Sequence, residues 1–274
     1  MRYDIIVLGG GPAGLSAAVA ARGRNKSVLV VGNRWQDSPL ARAERVDNYL
    51  GLPGVTGTEL LEQFRRHAEE LGADFVLGRV ISLMAWNGFH LTVGSEIYEG
   101  ETLILAPGVV RQAKYPGETE YLGRGVSYCA TCVGMLYRGK PVAVVGYTDT
   151  ARQEAEFLQK IGCSVTYFDR PKQCEIRGDG RVESVTCDGR TIPAEGVFIL
   201  RPTMAPTELF PGLAVEQGYV TVDRRMATNL PGLFAAGDCT GGPLQVSKAA
   251  GDGLIAGQSA AAWAAAQERR EKQS

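Results

Sequence analysis

Asp4-Ile5-Ile6-Val7-Leu8-Gly9-Gly10-Gly11-Pro12-Ala13-Gly14 opens the chain with an uninterrupted apolar run that passes directly into a glycine turn and then an alanine-rich segment. Strand, glycine turn, helix is the order of a dinucleotide-binding βαβ unit. Gly9 allows the tight turn, Gly11 lets the backbone approach a pyrophosphate, and Gly14 lets the helix pack close to the strand with its N-terminus toward the phosphates. Ser27-Val28-Leu29-Val30-Val31 follows at the distance that completes the unit. That second strand ends Val31-Gly32-Asn33, without the acid expected to hold an adenosine ribose.

The same pattern recurs once. Pro141-Val142-Ala143-Val144-Val145-Gly146, a helix to about Lys160 and Ser164-Val165-Thr166-Tyr167-Phe168 form a second βαβ unit. Its loop reads Gly146-Tyr147-Thr148-Asp149-Thr150-Ala151, with Thr148 where the second glycine should stand, so the fold is kept while the nucleotide site is lost. Asp169 nevertheless ends the second strand where an NAD ribose wants an acid, which leaves a degenerate NADH site open. Around these units the expectation is a helix from about Thr58 to Leu71 capped by Thr58, and an antiparallel excursion over Phe75–Met84, Phe89–Val93 and Glu96–Tyr98. A returning strand ends Ala106-Pro107-Gly108. Further on come a weak strand near Arg181–Cys187, a turn at Asp188-Gly189, a strand over Gly218–Asp223, and Gly232–Asp238 as a buried strand ending in an acid. That acid is read either as a cofactor contact or as a helix N-cap. The last helix, about Gln245 to Glu268, is rich in Ala and Gly and suits close packing against a cofactor.

Between the two units lies Tyr128-Cys129-Ala130-Thr131-Cys132-Val133-Gly134. Two cysteines three apart can close a small disulfide, and a helix N-terminus there favours thiolate over thiol. The spacing also supplies half of many zinc sites, but Cys163, Cys174, Cys187 and Cys239 are scattered singly and His67 and His90 are the only histidines, so no metal is expected. With 29 basic and 30 acidic residues nothing points to nucleic acid or a membrane surface. Met1-Arg2-Tyr3-Asp4 leads straight into a strand without a signal-peptide pattern, and the expected location is the cytoplasm.

The whole chain resembles the low-molecular-weight thioredoxin reductases. The motifs that carry the resemblance are Gly9–Gly14, Asn48-Tyr49-Leu50-Gly51, Gly123 to Cys132, and Phe234-Ala235-Ala236-Gly237-Asp238. It implies an α/β fold of two Rossmann-like dinucleotide-binding domains, the second inserted in the first: residues 1–109 and 212–274 for FAD, and 110–211 for the redox disulfide. Hinges are expected near Pro107-Gly108 and Pro211-Gly212. It implies FAD held by Gly9, Gly11, Pro12, Ala13, Gly14, Gly108 and Asp238, with Asn48, Gln245 and Val246 near the isoalloxazine, and it implies a homodimer. In the family the second cysteine, here Cys132, faces the flavin and the first, Cys129, attacks the disulfide of thioredoxin. The altered Gly146 loop and the shortened second domain resemble the ferredoxin-dependent members, which implies ferredoxin as donor. Val133 departs from the acid that the family carries beside the second cysteine. An NADH- or flavin-donor-dependent reductase, and a non-catalytic FAD redox sensor, are the alternative readings.

Overall fold

The structure, a computed structural model, describes residues 1–35, 38–78, 80–108, 115–128, 130–147, 150–201 and 209–271, without the side chains of Ile81, Thr131, Cys132, Thr150 and Glu271. The chain divides into two compact units, Met1–Val110 with Ala205–Ser274, and Arg111–Met204.

In the first unit β1 (Arg2–Leu8) enters α1 (Pro12–Arg22) through the glycine turn and returns as β2 (Val28–Gly32). After α2 (Gly57–Glu70) come β3 (Asp74–Leu77), β4 (Val80–Ala85), β5 (Phe89–Val93) and the long β6 (Glu96–Leu105). The sheet order is β3-β2-β1-β6-β5-β4, and β16 (Leu233–Ala235) also pairs with β6. β6 serves two purposes along its length. Its first half pairs antiparallel with β5, Phe89 opposite Gly100, while its second half runs parallel to β1 and β16, with Ile104 opposite Val7 and Phe234. Ile5, Ile6 and Val7 are fully buried because both faces of this parallel region are covered. Each such side chain stabilises the fold by roughly 1.5–3 kcal/mol relative to exposure.

Several local expectations are corrected or refined here. The run from Phe75 is not part of the antiparallel excursion: β3 pairs parallel with β2, Phe75 opposite Val30, and the excursion begins at β4. Thr56, not Thr58, caps α2; its hydroxyl accepts from Glu59 N–H while the Glu59 carboxylate accepts from Thr56 N–H, a complete capping box. The final helix, α5 (Val246–Glu271), owes its small residues to α1. A Cβ on Gly253 would lie 2.1 Å from the Ala13 carbonyl oxygen and one on Gly257 2.4 Å from that of Ala17, and Ser16 Oγ donates to Ala250 O at 2.6 Å. The expected strand over Gly218–Asp223 shrinks to β15 (Tyr219–Val220), paired with β14 (Val215–Glu216). Among the described residues no helix is long and apolar enough to cross a membrane.

The second unit repeats the design. β8 (Pro141–Gly146), α4 (Thr150–Lys160) and β9 (Ser164–Asp169) form the βαβ unit. They join β7 (Val126–Ser127) and β13 (Gly196–Leu200) in an all-parallel sheet ordered β7-β13-β8-β9. A separate antiparallel sheet, β10 (Cys174–Gly178), β11 (Val182–Cys187) and β12 (Arg190–Pro193), follows β9. Cys174 and Cys187 are not single cysteines. They stand directly opposite each other at the ends of β10 and β11 and form a disulfide, with both residues buried. Their 13-residue separation conceals this pairing in the sequence, because only the hairpin register brings them together.

Candidate active site

The C-terminal ends of β1, β6 and β16 lie side by side, and the residues singled out for a cofactor follow those ends. Gly9 takes φ +126°, and a Cβ there would stand 2.0 Å from the Ala106 carbonyl oxygen, so only glycine lets the β1 turn nest against the end of β6. A Cβ on Gly14 would meet the Gly9 carbonyl oxygen at 1.8 Å, which is the close strand–helix approach read from the motif. Gly11 is the N-cap of α1 and no side chain caps it, while Pro12 occupies the first helical turn. Ala13 is buried beside Gly237, whose own Cβ would come within 2.7 Å of the Ala13 methyl. The glycine loop and the Gly237-Asp238 turn are thus brought together, although more than two hundred residues separate them in the chain. Gly108 follows β6 at φ +73° with open space around it.

Asp238 is not a side-chain N-cap. It sits inside a short 3-10 turn, Gly237–Thr240, whose N-cap is Ala236. The turn is tied to α5 by residues that the sequence reading treated only as part of a packing helix. Lys248 Nζ donates to the carbonyl oxygens of Gly237 and Gly241 and to Thr240 Oγ1, each at 2.8 Å, and is ion-paired with Asp252 at 2.8 Å. Asp252 accepts in turn from Gly237 N–H and Thr240 Oγ1. The i,i+4 spacing of Lys248 and Asp252 was the available signal. One oxygen, Asp238 Oδ1, is buried with no hydrogen-bond partner among the described residues. Burial, reinforced by Asp252 and opposed by Lys248, raises the Asp238 carboxyl above its usual range. Burial likewise pushes the Cys239 thiol up to about 12, so at neutral pH it is a buried neutral thiol donating to Ala236 O.

At the start of α5 the structure pairs two further candidates: Asn48 Nδ2 donates to Gln245 Oε1 at 2.6 Å. Val246 is the first residue of the helix. Leu50, two residues after Asn48, is 97% exposed.

In the second unit Ala130–Val133 form a single helical turn, α3, which contains the backbone of Cys132. Cys129 and the Cys132 side chain lie outside what is described. The segment leading into this turn is anchored by a buried ion pair that sequence reasoning missed. Glu118, with no exposed surface, accepts from both terminal nitrogens of Arg201 at 2.5 and 2.7 Å, from Tyr128 Oη at 3.0 Å and from Tyr115 N–H at 2.9 Å. Burial alone would lower the Arg201 guanidinium; the Glu118 carboxylate more than offsets it, so Arg201 is held charged. Nothing in the spacing of Glu118 and Arg201 announces this pair.

In the second unit Gly146 stands where Gly9 stands in the first, and a Cβ there is likewise blocked. The Tyr167 hydroxyl lies 2.2 Å, and the Ala151 methyl 2.8 Å, from where a Cβ on Gly146 would stand. Asp169 is ion-paired with Arg152 at 2.8 Å, and the Arg152 guanidinium lies 4.7 Å from the Tyr167 ring centre. Tyr147 turns away to donate to Pro171 O at 2.8 Å. Thr148 and Asp149 lie outside the described residues.

Residues 3–175 and 170–253 match the family described as pyridine nucleotide-disulphide oxidoreductase, and the chain belongs to that family. It is of the thioredoxin reductase type, a flavin disulfide oxidoreductase with FAD as cofactor. The thioredoxin reductase of Listeria innocua is 33% identical over 295 residues, spanning 94% of this chain and 92% of its own. The ferredoxin-flavin thioredoxin reductase of Clostridium acetobutylicum superposes with a TM-score of 0.90 at 39% identity, covering 95% of this chain and 97% of its own. A thioredoxin reductase of Gloeobacter violaceus gives 0.78 at 31% identity, covering 97% and 95%. The first unit fits FAD. Gly10 and Gly11 have no atom within 4 Å of a would-be Cβ, and the buried Asp238 Oδ1 lacks the donor that a cofactor hydroxyl supplies.

Proposed function

We propose that this protein takes electrons from reduced ferredoxin and uses them to reduce thioredoxin through a Cys129–Cys132 disulfide. FAD, when bound, supplies the conversion between single electrons and an electron pair. The chain's own residues hold it: the Gly9–Gly14 loop with its open α1 N-terminus accepts the pyrophosphate, Asp238 accepts from a hydroxyl, and the Asn48–Gln245 pair stands at the start of α5. The observation that carries the choice of donor is the altered nucleotide loop of the second unit, where Tyr147 and Thr148 replace the glycines that stay open in the first, together with the ion pair on Asp169. Asp169, at the end of β9, is ion-paired with Arg152 at 2.8 Å. An iron-sulfur protein needs no such loop. The similarity to a ferredoxin-flavin thioredoxin reductase supports the same reading. Three and four residues after Cys132 in the chain, Met135 and Leu136 are 59% and 71% exposed, an apolar surface suited to a protein disulfide substrate rather than a small thiol. A cytoplasmic homodimer belongs to the same reading.

The test is an anaerobic absorbance titration of the FAD-loaded protein with NADPH, NADH and reduced ferredoxin in parallel, followed by addition of oxidised thioredoxin. Ferredoxin alone is expected to bleach the flavin band, and thioredoxin to restore it. Rapid bleaching by NADH would reject the donor assignment.

A further inference from the structure

The Cys174–Cys187 disulfide stands at the open end of its hairpin. Cys174 opposite Cys187 is the first pair of the β10–β11 ladder, and Cys187 is also paired with Arg190 of β12 across the Asp188-Gly189 turn. Both cysteines are buried, yet the chain beside them is not: Lys172, Gln173, Asp188, Gly189 and Arg190 are all exposed. One residue clips that end shut. The Asp188 carboxylate accepts from Lys172 N–H and from Gln173 N–H, each at 3.0 Å, and Asp188 N–H donates to Gln173 O at 3.0 Å. Exposed hydrogen bonds at the end of a ladder open at much lower free energy than the core beneath them.

The two sulfurs have different neighbours. Residues directly opposite in an antiparallel pair have Cβ atoms about 5 Å apart, so Arg190 brings a cation to Cys187. The Arg190 guanidinium lies 5.8 Å from the Phe168 ring centre, and Phe168 belongs to the same core as both cysteines. A cation beside a departing sulfur favours thiolate and speeds its release. Cys174, by contrast, directly follows the clipped Gln173.

We propose that Cys174–Cys187 is a second thiol–disulfide exchange centre, which takes its electrons from a protein dithiol of the thioredoxin kind. When the Asp188 clip opens, one thiol of the partner gives up its proton to solvent and attacks Cys174 Sγ. The S–S bond breaks, a mixed disulfide forms, and Cys187 leaves as a thiolate that takes up a proton. The partner's second thiol then loses its proton and attacks the mixed disulfide, releasing Cys174, which is protonated in turn. Two electrons pass to the cysteine pair, and the dithiol ends as a disulfide. A dithiol suits this step better than a monothiol, because its second thiol acts within the mixed disulfide at high effective concentration. In a cytoplasm, where thiols are kept reduced, such a disulfide is typically transient and redox-sensing. The inference rests on the thioredoxin reductase reading only for its reductant.

The experiment uses the full-length FAD-loaded protein carrying Cys129→Ser and Cys132→Ser, so that the flavin-linked pair takes no part. It is incubated anaerobically with reduced thioredoxin, or with glutathione at equal thiol concentration, and thiols at Cys174 and Cys187 are followed by alkylation and peptide mass. Thioredoxin, reduced form in about tenfold excess over oxidised, is expected to open most of the disulfide, and glutathione to act at least ~10-fold more slowly. Asp188→Gly removes the carboxylate while suiting the φ of +48° at that position, and should speed reduction ~10-fold; Asp188→Asn keeps an acceptor and should lie close to wild type. A thioredoxin lacking its second cysteine should be trapped on Cys174. A disulfide that stays closed under about a hundredfold excess of reduced thioredoxin overturns the proposal, as does an Asp188→Gly rate equal to that of the parent. Equal rates with glutathione overturn the choice of a protein dithiol, and trapping on Cys187 overturns the direction of attack. None of these outcomes depends on the electron donor, so the donor assignment stands or falls separately.

Discussion

At the scale of single residues the most informative atom is Asp238 Oδ1. A buried carboxylate oxygen without a donor is costly, and the turn around it is held in place by Lys248 and Asp252 rather than by Asp238 itself. Replacing Asp238 with Asn is expected to weaken FAD binding about 10- to 100-fold, the loss of a hydrogen bond to a charged group at roughly 1.5–3 kcal/mol. The apoprotein should respond in the opposite sense. Because burial raises the folded-state pKa of Asp238, the folded chain holds its proton more tightly than the unfolded chain. Stability contributed by this group is therefore present below the unfolded carboxylate range and falls as pH rises through the raised folded value. Asp238→Asn removes that loss, so apo Asp238→Asn should be at least as stable as the wild-type apoprotein at neutral pH. Flavin-binding titrations and apoprotein melting curves test the two halves; unchanged FAD affinity would rule out Oδ1 as a cofactor contact. Asp238 was legible in the sequence as an acid at a strand end. Its role as N-cap was not settled there, because an Asp before a helical segment reads the same whether its side chain caps or faces a ligand.

At the scale of elements, the antiparallel β10–β11–β12 sheet is the least legible part of the chain. Only a weak strand and the Asp188-Gly189 turn were readable. That turn does close the β11–β12 hairpin, and Asp188 accepts from the N–H groups of Lys172 and Gln173 at the start of β10. β10 supports the approach to the cysteine turn: Ile176 N–H donates to Pro116 O, and Gly117 packs so close to Ile176 that a Cβ would stand 2.1 Å from its carbonyl oxygen. The Cys174–Cys187 disulfide closes this sheet within the core around Tyr121, Tyr128 and Val185. Replacing both cysteines by Ala is expected to lower the stability of the second unit by about 3 kcal/mol, the chain-entropy value for a loop of roughly this length. FAD absorbance should remain. Denaturant melting of the double variant checks this, and an unchanged midpoint would mean that the hairpin hydrogen bonds alone hold the register.

For the whole molecule, each unit has its own cores. The first is built around Ile5, Ile104 and Phe234 on one face of its sheet and Leu29, Leu91 and Leu103 on the other; the second is built around Val145 and Ile199, and around Val144 and Phe198. All the residues proposed to hold FAD belong to the first unit. Thermal unfolding is therefore expected to resolve two transitions, and excess FAD should raise only one of them, by an increment equivalent to about 2.7 kcal/mol when the free cofactor is a hundred times its dissociation constant. Calorimetry of apoprotein and FAD-saturated protein tests this; one transition shifting as a whole would mean that the two units unfold together.

The sequence alone determined the two βαβ units and the glycine turn that joins β1 to α1. These depend on neighbours in the chain: a strand run, a glycine and a helix within a few residues of one another. Tertiary structure alone decided the rest. The parallel pairing of β3 with β2 carries Phe75 to the sheet edge, the α1–α5 contact explains the small residues of the last helix, and hairpin register joins Cys174 to Cys187. The Glu118–Arg201 pair arises from packing between elements far apart in sequence, where no local spacing records which side chains will meet.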